Sequence, residues 1–282
     1  MQLLHVYITW LRYLGAKFRT RGRDDSLIAQ FRSDAPDQVF YIVGSGGTVN
    51  DLSVADCEKI ENGVSVSLNM GGVAPLAFSI YSIEAVNSAH QKDSLARKVR
   101  DQSKSAVFWH QDRKKHASSH IDALEREFPM HRYVRASVSV NRDVATFRRI
   151  FRDVMRPRVF DAPDLNICFA VTGSVARATL LGCALGYRRF CYVGVDLGST
   201  RYFWHEDHQL RGAEPWQDLD HFYDPNPDVS NFQGGPRVVP TFFEFLKTLH
   251  DESGRDLEFT TIDPKGRSLL TEFLKTGLRA PR

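Results

Sequence analysis

His205, His208 and His221 lie in one polar stretch, Leu197 to Pro236, rich in Trp, His, Asp, Pro and Gly and without sustained periodicity. A neutral imidazole near its ordinary pKa of about 6.5 can take a proton from a hydroxyl at neutral pH, so each is a candidate general base. A hydrogen-bonded surface histidine is the plain alternative. Immediately upstream, Asp196 closes an apolar run and is followed by Arg201 and Tyr202. A guanidinium fork grips a carboxylate or phosphate, and a phenol can donate to an anionic oxygen; an exposed Arg and a packed Tyr after a strand are the bland readings. His205, Glu206, Asp207 and His208 also invite a metal reading. A zinc helix needs its second His at i+4 rather than i+3, so no metal site is expected.

The element that positions these residues runs from Phe169 to Trp204. Thr172, Gly173 and Ser174 make a turn, and Ser174 to Leu185 is apolar on nearly every face, as a helix buried against a sheet must be. Gly186 stops that helix, and Phe190 to Val195 is a central strand ending at Asp196. In an open parallel sheet, ligands sit outside the carboxyl ends of the strands, beside helix N-termini that favour phosphate. The same order occurs earlier: the strand Gln38 to Val43 runs into Gly44, Ser45, Gly46, Gly47 and Thr48, with a polar helical start at Asn50 and Asp51. Val49 stands where a dinucleotide fingerprint would place its last glycine, and there is no Gly-Lys-Ser/Thr loop, so a plain tight turn competes with a phosphate loop. Val64 to Leu68 is a second strand with Asn69 at its end, where an amide reads a base or ribose or simply caps the turn.

Further strands are expected at Leu76 to Tyr81, Ala106 to Trp109, Tyr133 to Val140 as an edge strand, and Leu257 to Ile262. Helices are expected over Asn87 to Gln102, Asp143 to Met155 with Pro157 as its stop, Thr241 to Glu252, and from Ser268 onward. His110 to His120 reads as a solvated basic loop. The pattern predicts an α/β fold: a Rossmann-like, mostly parallel sheet with helices on both faces, forming a single nucleotide-binding domain over residues 34–282. Residues 197–236 form an irregular lid inserted in it, since so long a structureless connection is usually a binding loop.

Residues 1–33 form an amphipathic, basic N-terminal segment. Leu3, Leu4, Tyr7, Ile8, Trp10, Leu11, Tyr13, Leu14 and Phe18 precede Arg19, Arg21 and Arg23, with Lys17 among them. The run is shorter than the roughly 20 apolar residues of a bilayer span and lacks signal-peptide features. Two readings stand: a helix lying on an anionic membrane surface through residues 1–23, or a terminal helix packed on the domain or on another subunit, which leaves a homo-oligomer open. A net charge of +3 is too mild to imply a nucleic-acid partner. Cys57, Cys168, Cys183 and Cys191 have no paired spacing and read as reduced residues of a cytoplasmic protein.

Taken together, the blocks YIVGSGGTVNDL, SLNM, TGSVARATLLGCALGYRRFCYVGVDLGSTRYFW, TFFEFLKTL and IDPKGRSLL resemble, in order, the bacterial sialyltransferases of glycosyltransferase family 42. More loosely they resemble the superfamily that includes the MptE-like hydroxymethylpterin diphosphokinases. The resemblance implies an inverting, metal-independent transfer of a nonulosonic or related acidic sugar, sialic acid-like or Kdo, from a CMP-sugar donor to a glycan or glycolipid acceptor of the cell surface, with no cofactor beyond that donor. Gly44, Ser45 and Gly46, then Asn69, Thr172 and Ser174, match positions around the CMP, and Asp196 matches an acid near the ribose. Tyr202 falls where a family tyrosine binds the leaving phosphate, after a loop about two residues shorter. The family's general base is a lid His just before the late helix, a position that Gly234 occupies here. His221, nearest that helix, becomes the first choice of base, with His205 and His208 behind it. The departure keeps two alternatives in view: pyrophosphate transfer to a pterin alcohol, and a nucleotide-binding protein without catalysis. The likeness also implies a GT-A-like form of the nucleotide-binding domain, while a cytoplasmic location follows from the unpaired cysteines, with contact at the inner membrane face if residues 1–23 bind lipid.

Overall fold

The computed structural model describes residues 2–33, 35–83, 107–112, 132–140, 143–171, 173–197, 203 and 241–278. Its strands are β1 (Val39–Val43), β2 (Val64–Leu68), β3 (Ile80–Ile83), β4 (Val107–Asp112), β5 (Arg132–Ser139), β6 (Ile167–Ala170), β7 (Arg189–Val193) and β8 (Glu258–Thr261). All form one sheet in the order β6-β5-β4-β3-β2-β1-β7-β8, and every pairing is parallel. The central strands β1, β2 and β7 are buried along most of their length on both faces, as parallel strands covered by helices must be, whereas β8 at one edge stays partly exposed. The chain steps outward from β1 to β6 and then returns to lay β7 on the free side of β1. That reversal opens a crevice between the carboxyl ends of β1 and β7.

Helices cover both faces. On one, α5 (Gly173–Ala184) and α6 (Phe242–Glu252) pack over Phe40, Phe190 and Tyr192. The fit of α5 depends on Gly182, where an added Cβ would lie 2.7 Å from the Phe190 ring and 2.8 Å from that of Phe40. Thr179 and the Tyr192 hydroxyl, both buried, hydrogen-bond each other at 3.1 Å, so neither polar group is stranded in the core. On the other face, α3 (Val54–Asn62) starts at a capping box between Ser53 and Asp56 and ends where Gly63 rests against the Tyr41 ring. Two short helices, α2 (Ser26–Ala29) and α4 (Val144–Ile150), and the last helix α7 (Leu269–Lys275) complete the set among the described residues.

Helix α1 (Gln2–Arg19) lies against the β5 and β6 side. It buries Thr9, Tyr13 and Ala16; the Tyr13 ring stacks on Phe169, with centroids 6.2 Å apart, beneath the Arg158 guanidinium. The opposite side of the helix stays exposed, with Phe18 at 77% and Leu3 at 66% of their full surface. No described helix is long and apolar enough to cross a membrane.

Several expectations need correction. Tyr133 to Val140 is not an edge: β5 sits between β4 and β6, and its alternation arises because Arg135 is buried beneath Trp109 with its guanidinium 5.6 Å from the ring. The edge on that side is β6, absent from the expected elements because four residues between Asn166 and Val171 carry little periodicity. The strand expected from Leu76 begins only at Ile80, and β4 runs on to Asp112, taking the first residues of the expected basic loop. Pro157 does not end the helical path; Phe151–Met155 and Pro157–Asp161 are π-helical turns that carry it through to Asp161. A shift to i→i+5 bonding there gives Ala162 N–H the Pro157 carbonyl, at 2.8 Å. The first Gly-rich loop enters a single 3-10 turn, Gly47–Asp51, before α3 begins at Val54. Cys168, Cys183 and Cys191 are buried and Cys57 half-buried, none of them in a disulfide; burial pushes the Cys191 thiol up to about 11. The expected helix Asn87 to Gln102 and nearly all of the lid lie outside the described residues.

Candidate functional site

At the β1/β7 crevice the two strand ends continue their pairing beyond the strands. Gly44 N–H donates to Val193 O and Gly46 N–H to Gly194 O, each at 2.8 Å. The approach is so close that a Cβ on Gly44 would sit 2.4 Å from Gly194 O, and one on Gly46 would sit 2.5 Å from the Asp196 carboxylate carbon. Gly194 itself has φ +62°, a conformation that disfavours any side chain. The glycines are therefore accounted for by backbone proximity, and two of the amides expected to face an anion are already engaged within the chain.

The same approach fixes Asp196. Thr48 donates its backbone N–H to Asp196 Oδ2 at 2.8 Å and its hydroxyl to Oδ1, while accepting from Gly194 N–H at 3.2 Å. Burial raises the Asp196 pKa above the usual carboxylate range, against the two Thr48 hydrogen bonds, which pull it down. Two of roughly four acceptor positions on the carboxylate are used, so the rest can take a ligand hydroxyl.

Asn69 and Ser174 come from different parts of the chain and meet: Asn69 Nδ2 lies 3.4 Å from Ser174 Oγ. Asn69 sits at φ +49°, where Asn is tolerated better than most side chains, and this turns its amide off the end of β2 toward the start of α5. Gly71, two residues on, packs on the first loop so tightly that a Cβ there would be 2.7 Å from Gly44 O. The two pairs, Gly46 with Asp196 and Asn69 with Ser174, are thus bridged by the contact of Gly71 with Gly44.

Four features join this cluster that the sequence did not single out. Arg177, one turn into α5, donates to Ser174 Oγ at 3.3 Å and is only 6% exposed; burial lowers its pKa to about 10, which still leaves it charged at neutral pH. Its signal was a lone charge in an otherwise apolar helix. Thr48 gave no signal, since its role depends on a residue far along the chain. Phe203 is fully buried, with its N–H on Ser45 O at 3.0 Å and its carbonyl taking Asn50 Nδ2 at 2.6 Å. Asn50 Oδ1 is buried with no hydrogen-bond partner among the described residues, a group that a ligand N–H or O–H could satisfy.

A cationic turn closes the crevice from the β8 side. Asp263 accepts from Ser268 N at 2.8 Å, Arg267 N at 3.0 Å and the Thr271 hydroxyl at 2.8 Å. Burial alone would raise its pKa, but these bonds outweigh it and hold the carboxyl below the usual range. The turn carries Lys265 and Arg267 onto the buried Asp51 carboxylate, and Arg267 also reaches Gly47 O at 3.3 Å. Among the sequence-derived candidates, then, Gly44, Ser45, Gly46, Asn69, Ser174 and Asp196 are brought together. Thr172, Arg201, Tyr202, His205, His208 and His221 lie outside the described residues, as does Gly234. No cluster of three or more His, Cys, Asp or Glu side chains suited to a metal occurs among the described residues.

No family model matches the chain, and no curated protein matches it. Among solved structures it is similar to the sialyltransferase CstII from Campylobacter jejuni in complex with the substrate analogue CMP-3FNeuAc, at 11% identity and a TM-score of 0.45, covering 84% of each chain. It is also similar to the MAf glycosyltransferase from Magnetospirillum magneticum AMB-1, at 18% identity and a TM-score of 0.34, covering 60% of this chain and 24% of that one.

Proposed function

We propose that the chain is an inverting, metal-independent glycosyltransferase that moves a nonulosonic or related acidic sugar, sialic acid-like or Kdo, from a CMP-sugar to a glycan acceptor of the cell surface. The observation that carries the nucleotide part is the meeting of Gly46, Asp196, Asn69 and Ser174 at the reversal point of a parallel sheet, where such sheets bind nucleotides. The transfer part rests on the sequence resemblance. In this reading the loop at Gly44, Ser45 and Gly46, together with Asn69, Thr172 and Ser174, holds the cytidylate, and Asp196 accepts from the ribose.

The chemistry asked of the protein is modest because CMP is already a good leaving group. The acceptor oxygen attacks the anomeric carbon, the bond from that carbon to the phosphate oxygen breaks with inversion, and the acceptor proton passes to an imidazole. His221 takes that role first, with His205 and His208 as the other lid candidates. Arg201 and Tyr202 receive charge on the sugar carboxylate and the departing phosphate, and the lid over residues 197–236 keeps water from hydrolysing the donor.

A thermal-shift panel tests the reading. CMP and CDP are expected to raise the melting temperature, by an amount that grows with ligand concentration as binding linkage requires. Stabilisation by ATP with magnesium alone would transfer the site to the pterin diphosphokinase reading. Binding of CMP without turnover of any CMP-sugar would leave a nucleotide-binding protein.

A further inference from the structure

Helix α1 presents two different faces. With each residue advancing about 100° around the axis, the buried Thr9, Tyr13 and Ala16 lie on one side. Leu4, Tyr7, Leu11, Leu14 and Phe18, with Leu3 and Trp10 beside them, fall within about 120° on the opposite side. All seven are exposed, and Tyr7 and Trp10 stack with ring centroids 6.5 Å apart. A surface helix of a globular domain normally turns such a stripe inward; here the inward side is already taken. Residues 2–23 contain five Lys and Arg and no Asp or Glu.

Beside the stripe, α1 and β5 enclose an open cleft of about 530 Å³. Arg12 and Arg19 line it on the helix side and Ser137 and Ser139 on the strand side, while Leu11 belongs to both the cleft and the stripe. Arg12 Nη1 lies 3.5 Å from Ser139 O, at the last residue of β5. Two guanidinium groups and two hydroxyls next to an apolar ridge match a phosphate headgroup whose acyl chains continue along the helix. Because every strand is parallel, the end of β5 lies on the same edge of the sheet as the ends of β1 and β7.

We propose that the outer face of α1 and the adjoining α1–β5 cleft dock the protein on an anionic lipid surface, with the cleft taking a phospholipid headgroup. Charge selects this occupant over a second copy of the chain: two copies of an acid-free helix would bring like charges together, whereas an anionic bilayer neutralises them. The inference does not depend on the donor or the reaction, and its test uses neither.

The full chain should float with vesicles of phosphatidylcholine containing roughly 30 mol % phosphatidylglycerol and far less with phosphatidylcholine alone. The emission of Trp10, isolated by comparison with Trp10→Phe, should shift to shorter wavelength on binding. Leu4→Glu/Tyr7→Glu/Phe18→Glu and, separately, Arg12→Glu/Arg19→Glu should each lower vesicle partitioning about tenfold or more while melting like the parent, since all five side chains are exposed. Phe18→Glu alone, at the most exposed position, gives the same reading if the triple variant folds poorly. Equal flotation of parent and stripe variants would overturn the proposal. So would a parent particle of twice the chain mass that the stripe variant reduces to one, since a second copy would then cover the face.

Discussion

At the scale of single residues, Asp196 is the most informative position, because its stability and its proposed role pull in opposite directions. Its pKa is raised in the fold, so the stability it lends is complete only below its unfolded value of about 3.9 and is lost as pH rises through the folded value. At neutral pH the ionised group is a cost that the Thr48 bonds only partly offset. Asp196→Asn should therefore melt at or above the parent at pH 7 while its affinity for CMP falls about tenfold or more, as expected when a charged acceptor is lost. Unchanged affinity in calorimetry would remove Asp196 from the ligand site. The residues legible in advance were those at the ends of apolar strands, where a polar side chain cannot be core: Asn69 and Asp196 are of this kind. Thr48 was not legible, since nothing within ten residues of it says that an acid 148 positions later will need its hydroxyl.

Among elements, the loop after β1 shows what a glycine pattern can and cannot say. Its sequence predicted a tight approach, and the approach exists, but to β7 rather than through free amides aimed at an anion. Gly46→Ala should then destabilise the protein by about 1–3 kcal/mol, the usual cost of forcing a carbon into packed space, read as a lower urea midpoint at unchanged slope. A midpoint equal to the parent's would mean that the β1 and β7 ends are not held so closely. The central strands and α5 were readable as apolar runs bounded by glycine, which is the strongest short-range signal available. The position of β5 within the sheet was not, because Arg135, Ser137 and Ser139 give an interior strand the alternation of an edge. Nor was the passage through Pro157, where a change in helical hydrogen bonding absorbs a residue that ordinarily breaks the helix.

On the scale of the whole molecule, the crevice draws fixed charge from separate elements: the buried Arg177 of α5, which donates to Ser174, and Lys265 and Arg267 from the turn before α7, both already paired with the Asp51 carboxylate. A buried cation such as Arg177 can stabilise a departing phosphate without reorganising. Turnover of a CMP-sugar should accordingly survive an excess of EDTA. Its loss under chelation and recovery with magnesium would point instead to pyrophosphoryl transfer.

The return of β7 to the side of β1 also governs the order in which a ribosome makes the site. By the time β1 to β6 have emerged, β1 still offers one unsatisfied backbone edge, and its partner Arg189–Val193 has yet to be synthesised. At about 5–20 residues per second, the 148 positions between Thr48 and Asp196 take roughly 7–30 seconds to translate. During that interval the nascent chain carries an open strand edge and only half of the crevice, the kind of exposed edge that favours mispairing until β7 arrives.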